Sequence, residues 1–163
     1  MKPTSKPANV TLTVSKFVDV LASEEPQGKR NTECEMKAEP NHPHVTMGKG
    51  SKSQAPALKV KGGSATICFQ IKSKNPRHHY YPLGIAFRRQ TSRGLANDRD
   101  DVLGRKDFSF GSMHLFGRSL YITDHFKNCG AGRRYKFSVI IQRQHDGAIG
   151  IIDPGIENDS TDR

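Results

Sequence analysis

The sequence predicts an all-β fold, an immunoglobulin-like antiparallel β-sandwich of about seven short strands joined by long polar loops. Apolar and polar residues alternate with a period of two in several short segments, and turns rich in glycine and proline separate those segments. No segment carries a strong helical pattern. The length of 163 residues fits one domain, with residues 9–159 as the sandwich, residues 1–8 as a disordered N-terminal tail and residues 160–163 as a second tail.

The first strand is predicted near the start of the chain, where Val10, Leu12 and Val14 alternate with smaller polar residues. This pattern is typical of a half-buried strand, and helix is the weaker interpretation of residues 16–25. The pattern breaks over residues 22–57, which contain several prolines and few large apolar residues. We predict that this segment is a polar insertion, a mobile flap, or a pair of weak strands around residues 34–36 and 45–47.

Further strands are predicted in the middle of the chain. The segments SATICFQIKS, residues 64–73, and LGIAFRR, residues 83–89, both alternate apolar and polar side chains. Residues 88–107 are predicted to form a charged loop, and residues 108–126 one or two short strands. Within the loop, the aspartates at positions 98 and 100 lack the glycine and glutamate of an EF-hand, so no calcium site is predicted.

The composition combines a small apolar fraction with a large positive charge. Hydrophobic residues make up 34% of the chain, and the formal net charge is +10. A solvated basic surface is the simpler interpretation, and binding of a polyanion or nucleic acid is the alternative. The aromatic residues near basic ones, which could stack on bases, are Tyr80, Tyr81, Phe108 and Phe110.

The three cysteines, Cys34, Cys68 and Cys129, are odd in number and have no Cys-x-x-Cys spacing. This pattern predicts neither a disulfide framework nor a zinc site. His42 and His44 are interpreted as solvated loop residues. We therefore expect no metal and no cofactor. The N-terminus has no long apolar run, which predicts a soluble cytoplasmic protein without a membrane anchor.

The clearest hairpin is predicted within residues 135–159. Phe137, Val139 and Ile141 alternate along its first strand, and Asp146-Gly147 is typical of a tight turn because glycine readily adopts positive φ. Both faces of the hairpin carry apolar residues. We therefore expect a central position in a sheet, or one face covered by another sheet or subunit.

The same stretch contains Asp153–Pro154, a kind of peptide bond that is unusually labile in acid. The aspartate carboxyl can attack its own main-chain carbonyl, and the protonated proline nitrogen is a good leaving group. A second carboxyl could share a proton with Asp153, as in an aspartic dyad. The candidates for it are Glu157, Asp159, Asp146 and Asp124. The simpler interpretation is that Pro154 ends a strand, because it cannot donate to the ladder.

The run FSVIIQR followed by DGAIGIIDPGIEND, together with SATICFQI and YYPLGIAF, resembles the DP-EP family of small bacterial proteins. The resemblance covers residues 8–159, and mainly residues 58–159. It implies a β-sandwich that self-associates, and an aspartic-peptidase-like self-cleavage that would fall on Asp153 and Pro154. The chain lacks the Asp-Thr-Gly and Asp-Ser-Gly motifs of aspartic proteases, which argues against cleavage of other proteins.

Three functions are therefore considered. A structural or binding module that self-associates without catalysis agrees best with the apolar character of both hairpin faces. Aspartic-type self-cleavage at Asp153–Pro154 is the alternative, and charge-driven nucleic-acid binding is the third. The expected partner is a second copy of the chain, with a polyanion as the other candidate and no membrane.

Overall fold

The computed structural model describes residues 6–22, 31–49, 56–91, 94–95, 107–108, 113–116, 118–126 and 133–159. These residues form strands and no helix, which confirms the all-β prediction, and none of them belongs to a helix long and apolar enough to cross a membrane. The described strands are β1 (Ala8–Lys16), β2 (Glu33–Ala38), β3 (Val45–Met47), β4 (Leu58–Lys61), β5 (Ala65–Ser73), β6 (Tyr80–Thr91), β7 (Gly94–Leu95), β8 (Met113–Phe116), β9 (Ser119–Asp124), β10 (Arg133–Arg143), β11 (Ile149–Ile152) and β12 (Gly155–Asp159).

The smaller sheet has the strand order β2-β1-β5-β9-β8. Along β1, buried residues alternate with half-buried ones from Ala8 to Val14, as expected for a strand with one face in a core. β1 pairs antiparallel with β2 but parallel with β5, where Val10 lies opposite Phe69. The sheet is therefore mixed, whereas the sequence predicts antiparallel pairing throughout.

The larger sheet has the order β3-β4-β12-β10-β6-β7, and β11 also pairs with β10. β10 is flanked by β6 on one side, and by β11 and then β12 on the other. β12 lies parallel to β4, so this sheet is mixed as well. The predicted hairpin is confirmed: β10 and β11 are joined by a turn in which Gly147 has a φ of 71° and donates its N–H to the Arg143 carbonyl at 2.9 Å.

A hydrophobic core lies between the two sheets. The rings of Phe69 on β5 and Phe137 on β10 are 5.3 Å apart, and Phe87 on β6 packs against Phe137 at 5.7 Å. Burying one large apolar side chain contributes roughly 1.5–3 kcal/mol. Because the inner faces of the two sheets pack against each other, the described strands form a two-layer sandwich. The largest fully buried side chains from the two sheets include Tyr135, Phe69, Phe137, Leu12, Leu58, Ile67, Leu120 and Ile141.

Residues 22–57 supply an edge strand to each sheet, β2 to the smaller and β3 to the larger. The two weak strands predicted around residues 34–36 and 45–47 are thus present as β2 and β3 in the described part of this segment. Two residues between β1 and β2 also cross to the larger sheet. Val20 donates its N–H to the Ile149 carbonyl at 2.9 Å, and Thr32 donates its N–H to the Ile151 carbonyl at 2.8 Å. These bonds cover the outer edge of β11.

Candidate functional site

A groove of about 530 Å³ lies between β2 and the junction of β11 with β12. It is lined by residues 31–37 on one side, and by Pro56, Ile152, Asp153 and Pro154 on the other. The groove exists because β4 begins beside β12 and does not extend along β11. The sequence-predicted bond Asp153–Pro154 therefore lies on the wall of an open groove.

Asp153 and Pro154 occupy the step between β11 and β12. The register of β10 continues unbroken across this step, which places Asp153 opposite Ser138 and Pro154 opposite Phe137. Phe137 donates its N–H to the Pro154 carbonyl at 3.1 Å, but proline has no N–H to return the bond. β11 ends at Ile152, in agreement with the interpretation of Pro154 as a strand terminator.

The Asp153 carboxylate is exposed and accepts two hydrogen bonds from neutral side chains. Asn31 donates its side-chain N–H to Oδ2 at 2.8 Å, and the Ser138 hydroxyl donates to Oδ1. Both carboxylate oxygens are therefore engaged. Attack of this carboxyl on its own main-chain carbonyl would require at least one of these bonds to break.

The structure places two of the candidate second carboxyls away from Asp153. Asp124 is buried on β9 in the smaller sheet, where it accepts the Phe126 N–H at 2.9 Å. Asp146 lies at the turn end of the hairpin and is bound by Arg143. The side chains at positions 157 and 159 lie outside the described part of the structure. Self-cleavage at Asp153–Pro154 stays a prediction.

Two residues that contact Asp153, Asn31 and Ser138, were not among the candidates from sequence. Ser138 could have been found, because the predicted turn at Asp146-Gly147 implies the hairpin register that sets it opposite Asp153. No sequence pattern indicates the contact between Asn31 and Asp153, because 122 positions separate the two residues in the chain.

The backbone of β2 offers a free edge to the groove. In the described part of the chain, β2 pairs with β1 alone. Glu39 donates its N–H to the Asn9 carbonyl at 2.8 Å. Because backbone groups alternate in direction along a strand, the N–H and C=O groups of residues 39, 37 and 35 are directed toward β1. The residues between them point the other way. The N–H and C=O groups of Cys34, Met36 and Ala38 are therefore directed away from β1.

Acidic side chains border the groove although the chain as a whole carries a net charge of +10. They are Glu33 and Glu35 on β2, with Asp153 across from them. Glu35 and Lys37 form an ion pair of 3.2 Å, with 53% and 74% of their side chains exposed. Such an exposed pair contributes little to stability, and it leaves both charges available for other contacts.

The thiol of Cys34 lies in the lining of the same groove. Burial raises the pKa of Cys34 to about 11, so the thiol is protonated at neutral pH. The thiolate is the form that acts as a nucleophile or a metal ligand. Cys34 therefore packs as a small apolar side chain and supplies no activated nucleophile.

The aromatic residues considered for base stacking lie in different environments. Tyr80 and Phe108 are 3% and 5% exposed and belong to the core, so their ring faces cannot receive a base. Tyr81 is half-buried, and the Arg118 guanidinium lies 5.7 Å from its ring centre. Phe110 lies outside the described residues. The stacking surface expected of a single-strand binder is thus not formed by Tyr80 and Phe108.

The histidines near β3 have a structural role. Nδ1 of His42 accepts the N–H groups of His44 at 3.2 Å and Val45 at 3.1 Å, which shapes the turn before β3. Over the described ranges, no group of three His, Cys, Asp or Glu side chains could hold a metal ion. The aspartates at positions 98 and 100, and Cys129, lie outside those ranges.

Comparison with known proteins adds no family. No protein-family model matches the chain, and no curated protein matches it. The resemblance to the DP-EP family stays a prediction from the sequence.

Proposed function

We propose that this protein is a non-catalytic β-sandwich module that self-associates by pairing β2 with β2 of a second copy. The observation that carries the proposal is the free edge of β2, where the backbone groups of Cys34, Met36 and Ala38 point away from β1. An exposed edge strand is a template for pairing with another chain. A two-fold axis through this edge would join the two smaller sheets into one.

The hydrogen-bonding direction of β2 restricts the register of such a pair. Only residues that point outward can exchange backbone bonds, and of the registers that this allows we propose the one in which Met36 faces Met36 of the second copy and Cys34 faces Ala38. This register sets Glu35 opposite Lys37 of the second copy, and the two-fold axis produces that pair twice. Each opposite-charge cross-strand pair contributes roughly 0.2–1 kcal/mol. Charge complementarity thus favours a second copy as the occupant.

The groove supplies apolar surface for the same contact. Along β2, Cys34 and Met36 are half-buried and face the inner side of the sheet, whereas Glu35 and Lys37 are exposed. In a second copy continuing the sheet, the inward side chains would be directed toward the groove lining, which includes Pro56 on the opposite wall. Removal of this apolar surface from water would add to the backbone bonds.

The chemistry of the groove supports binding over catalysis. The Asp153 carboxylate is held by neutral donors, and the Cys34 thiol is protonated at neutral pH. Cys34 and Cys68 are free thiols, which supports a cytoplasmic location as part of the proposal. Self-association is also what the resemblance to the DP-EP family implies.

A charge exchange across β2 tests the proposal. Lys37→Glu should weaken self-association about tenfold or more in analytical ultracentrifugation, because both cross-strand pairs become repulsive. The double variant Glu35→Lys/Lys37→Glu should restore it, since the pairs form again with their signs exchanged. Lys74→Glu is the matched control, because Lys74 is exposed in the turn after β5 and makes the same change in net charge.

Two outcomes would overturn the proposal. One is a parent protein that stays monomeric at every concentration measured. The other is self-association that Lys37→Glu leaves intact but Ile140→Ser abolishes. Ile140 and Leu83 are 38% and 44% exposed on the larger sheet, so the second outcome would assign the contact to that face.

A further inference from the structure

A second cavity, of about 240 Å³, lies beside the connection between β5 and β6. This cavity is called the turn pocket here. Its polar lining comes from Lys72 and Ser73 at the end of β5, Asn75, His78 and His79 in the connection, and Arg118 before β9. The turn of the β10–β11 hairpin is joined to this connection, because Gln144 donates its N–H to the His79 carbonyl at 2.8 Å.

The charged side chains that line the turn pocket are all basic. Its lining contains two permanent cations, Lys72 and Arg118, together with two imidazoles, and no carboxylate. Among the described residues, neither Lys72 nor Arg118 forms an ion pair. Asp146, the carboxylate of the hairpin turn, is bound to Arg143 at 2.6 Å. An unneutralised pair of cations around a cavity attracts an anion.

Neutral groups hold the Arg118 guanidinium in place. Its Nη1 lies 3.4 Å from Nδ1 of His79, and its carbon lies 5.7 Å from the ring centre of Tyr81. These contacts orient the guanidinium plane without cancelling its charge. The remaining N–H groups of Arg118 keep the planar fork that binds two oxygens of a phosphate at once.

Asn75 adds a neutral hydrogen-bond donor beside the two basic side chains. The side-chain oxygen of Asn75 accepts the Arg77 N–H at 3.0 Å, which leaves the amide NH₂ of Asn75 as a donor. The volume is several times the ~30 Å³ that one water takes up in the liquid, so an oxyanion fits together with some of its water. A compact anion with several acceptor oxygens matches this lining.

We propose that the turn pocket binds a phosphate group, either as free phosphate or as the phosphate of a small phosphorylated molecule. Lys72 supplies a point charge, Arg118 supplies two parallel N–H donors, and Asn75 supplies a neutral donor. The turn pocket shares no lining residue with the groove beside β2, so its test is separate from that of the proposed self-association. It gives part of the positive charge of the chain a defined ligand.

Isothermal titration calorimetry with inorganic phosphate and with ribose 5-phosphate, at constant ionic strength, tests this site. Saturable binding is expected, and Arg118→Gln should weaken it about tenfold, the usual effect of losing one charge-assisted bidentate contact. Arg77→Gln is the matched control, because Arg77 is exposed on the same connection but does not line the pocket. It should change the affinity less than about twofold.

The two ligands identify the source of the phosphate. Tighter binding of ribose 5-phosphate supports a phosphorylated small molecule, and equal or tighter binding of inorganic phosphate supports the free ion. Absence of saturable binding in the parent protein would overturn the proposal. Equal weakening by Arg118→Gln and Arg77→Gln would overturn it too, because it would mean that only diffuse surface charge acts.

Discussion

The hairpin of β10 and β11 has a carboxylate at each end, and the two carboxylates are held in different ways. At the turn, Asp146 accepts two hydrogen bonds from the Arg143 guanidinium, at 3.0 and 2.6 Å. That guanidinium lies 4.5 Å from the ring centre of Phe17. At the step into β12, the described residues that donate side-chain bonds to Asp153 are the neutral Asn31 and Ser138.

The two ends of the hairpin differ in whether the carboxylate is paired with a cationic side chain. The hydrogen bonds from Arg143 hold the pKa of Asp146 well below its usual range, and the charges of this pair largely satisfy each other. Asp153 is bound to no cationic side chain of the described residues, and it lies on the wall of the groove. The turn end therefore carries a paired charge, whereas the carboxylate at the step end is held by neutral groups beside the groove.

Gly150 lies on β11 between the two ends of the hairpin. Its substitution is expected to have the largest effect, a loss of free energy of unfolding. A Cβ at this buried position would lie 2.6 Å from Oγ1 of Thr32, which lines the groove, and 2.7 Å from Cε2 of Phe17, which packs under Arg143. Gly150→Ala should lower the free energy of unfolding by about 1–3 kcal/mol, the usual cost of overpacking. Chemical denaturation would measure it.

Gly84 provides the matched control for that substitution. It lies in β6 of the same sheet, and a Cβ added there has no heavy atom within 4 Å. Gly84→Ala should therefore change the free energy of unfolding by less than about 0.5 kcal/mol. Equal destabilisation by both substitutions would show that contact with Thr32 and Phe17 is not the cause.

The strands with one buried face could be predicted from sequence, and the others could not. In β1 and β10 every second side chain lies in the core and is apolar, as Val10 and Phe137 are. The resulting period of two is visible in the sequence. β2, with the sequence ECEMKA, lies at an edge and buries none of its residues fully. Short or polar strands of this kind explain why the described residues form twelve strands where about seven are predicted.

Strand direction and the groove depend on contacts between distant parts of the chain. The pairing of β1 with β5 is parallel, and a parallel partner is reached through a long connection that leaves no local pattern. The same limit applies to the site. Asp153, Pro154 and the neighbouring Ser138 follow from the hairpin, but Asn31 and the free edge of β2 depend on where residues 31–38 cross the sandwich.

The pairing of Asp146 with Arg143 predicts a smaller effect that depends on pH. Because the pKa of Asp146 is lowered in the folded state, its contribution to stability is present above the unfolded-state value of about 3.9 and is lost as the pH falls through the folded-state pKa. The difference in unfolding free energy between the parent and Asp146→Asn should therefore shrink below about pH 4. Denaturant titrations over a pH series would measure it. A difference that stays constant with pH would contradict the role of the charge.

The smallest effect is expected at the Asp153–Pro154 bond itself. Because both oxygens of the Asp153 carboxylate accept hydrogen bonds, the folded protein should cut this bond more slowly than the unfolded chain does at the same mildly acidic pH. Intact-mass measurements with and without denaturant would follow the two fragments. The double variant Asn31→Ala/Ser138→Ala frees the carboxyl and should bring the cleavage rate of the folded protein closer to that of the unfolded chain. Asp153→Asn gives the background rate of cleavage.

The opposite outcome would assign another role to these bonds. If the folded parent cuts faster than the unfolded chain, and the double variant cuts more slowly than the parent, then Asn31 and Ser138 promote the reaction. The step end of the hairpin would in that case be a self-cleaving site.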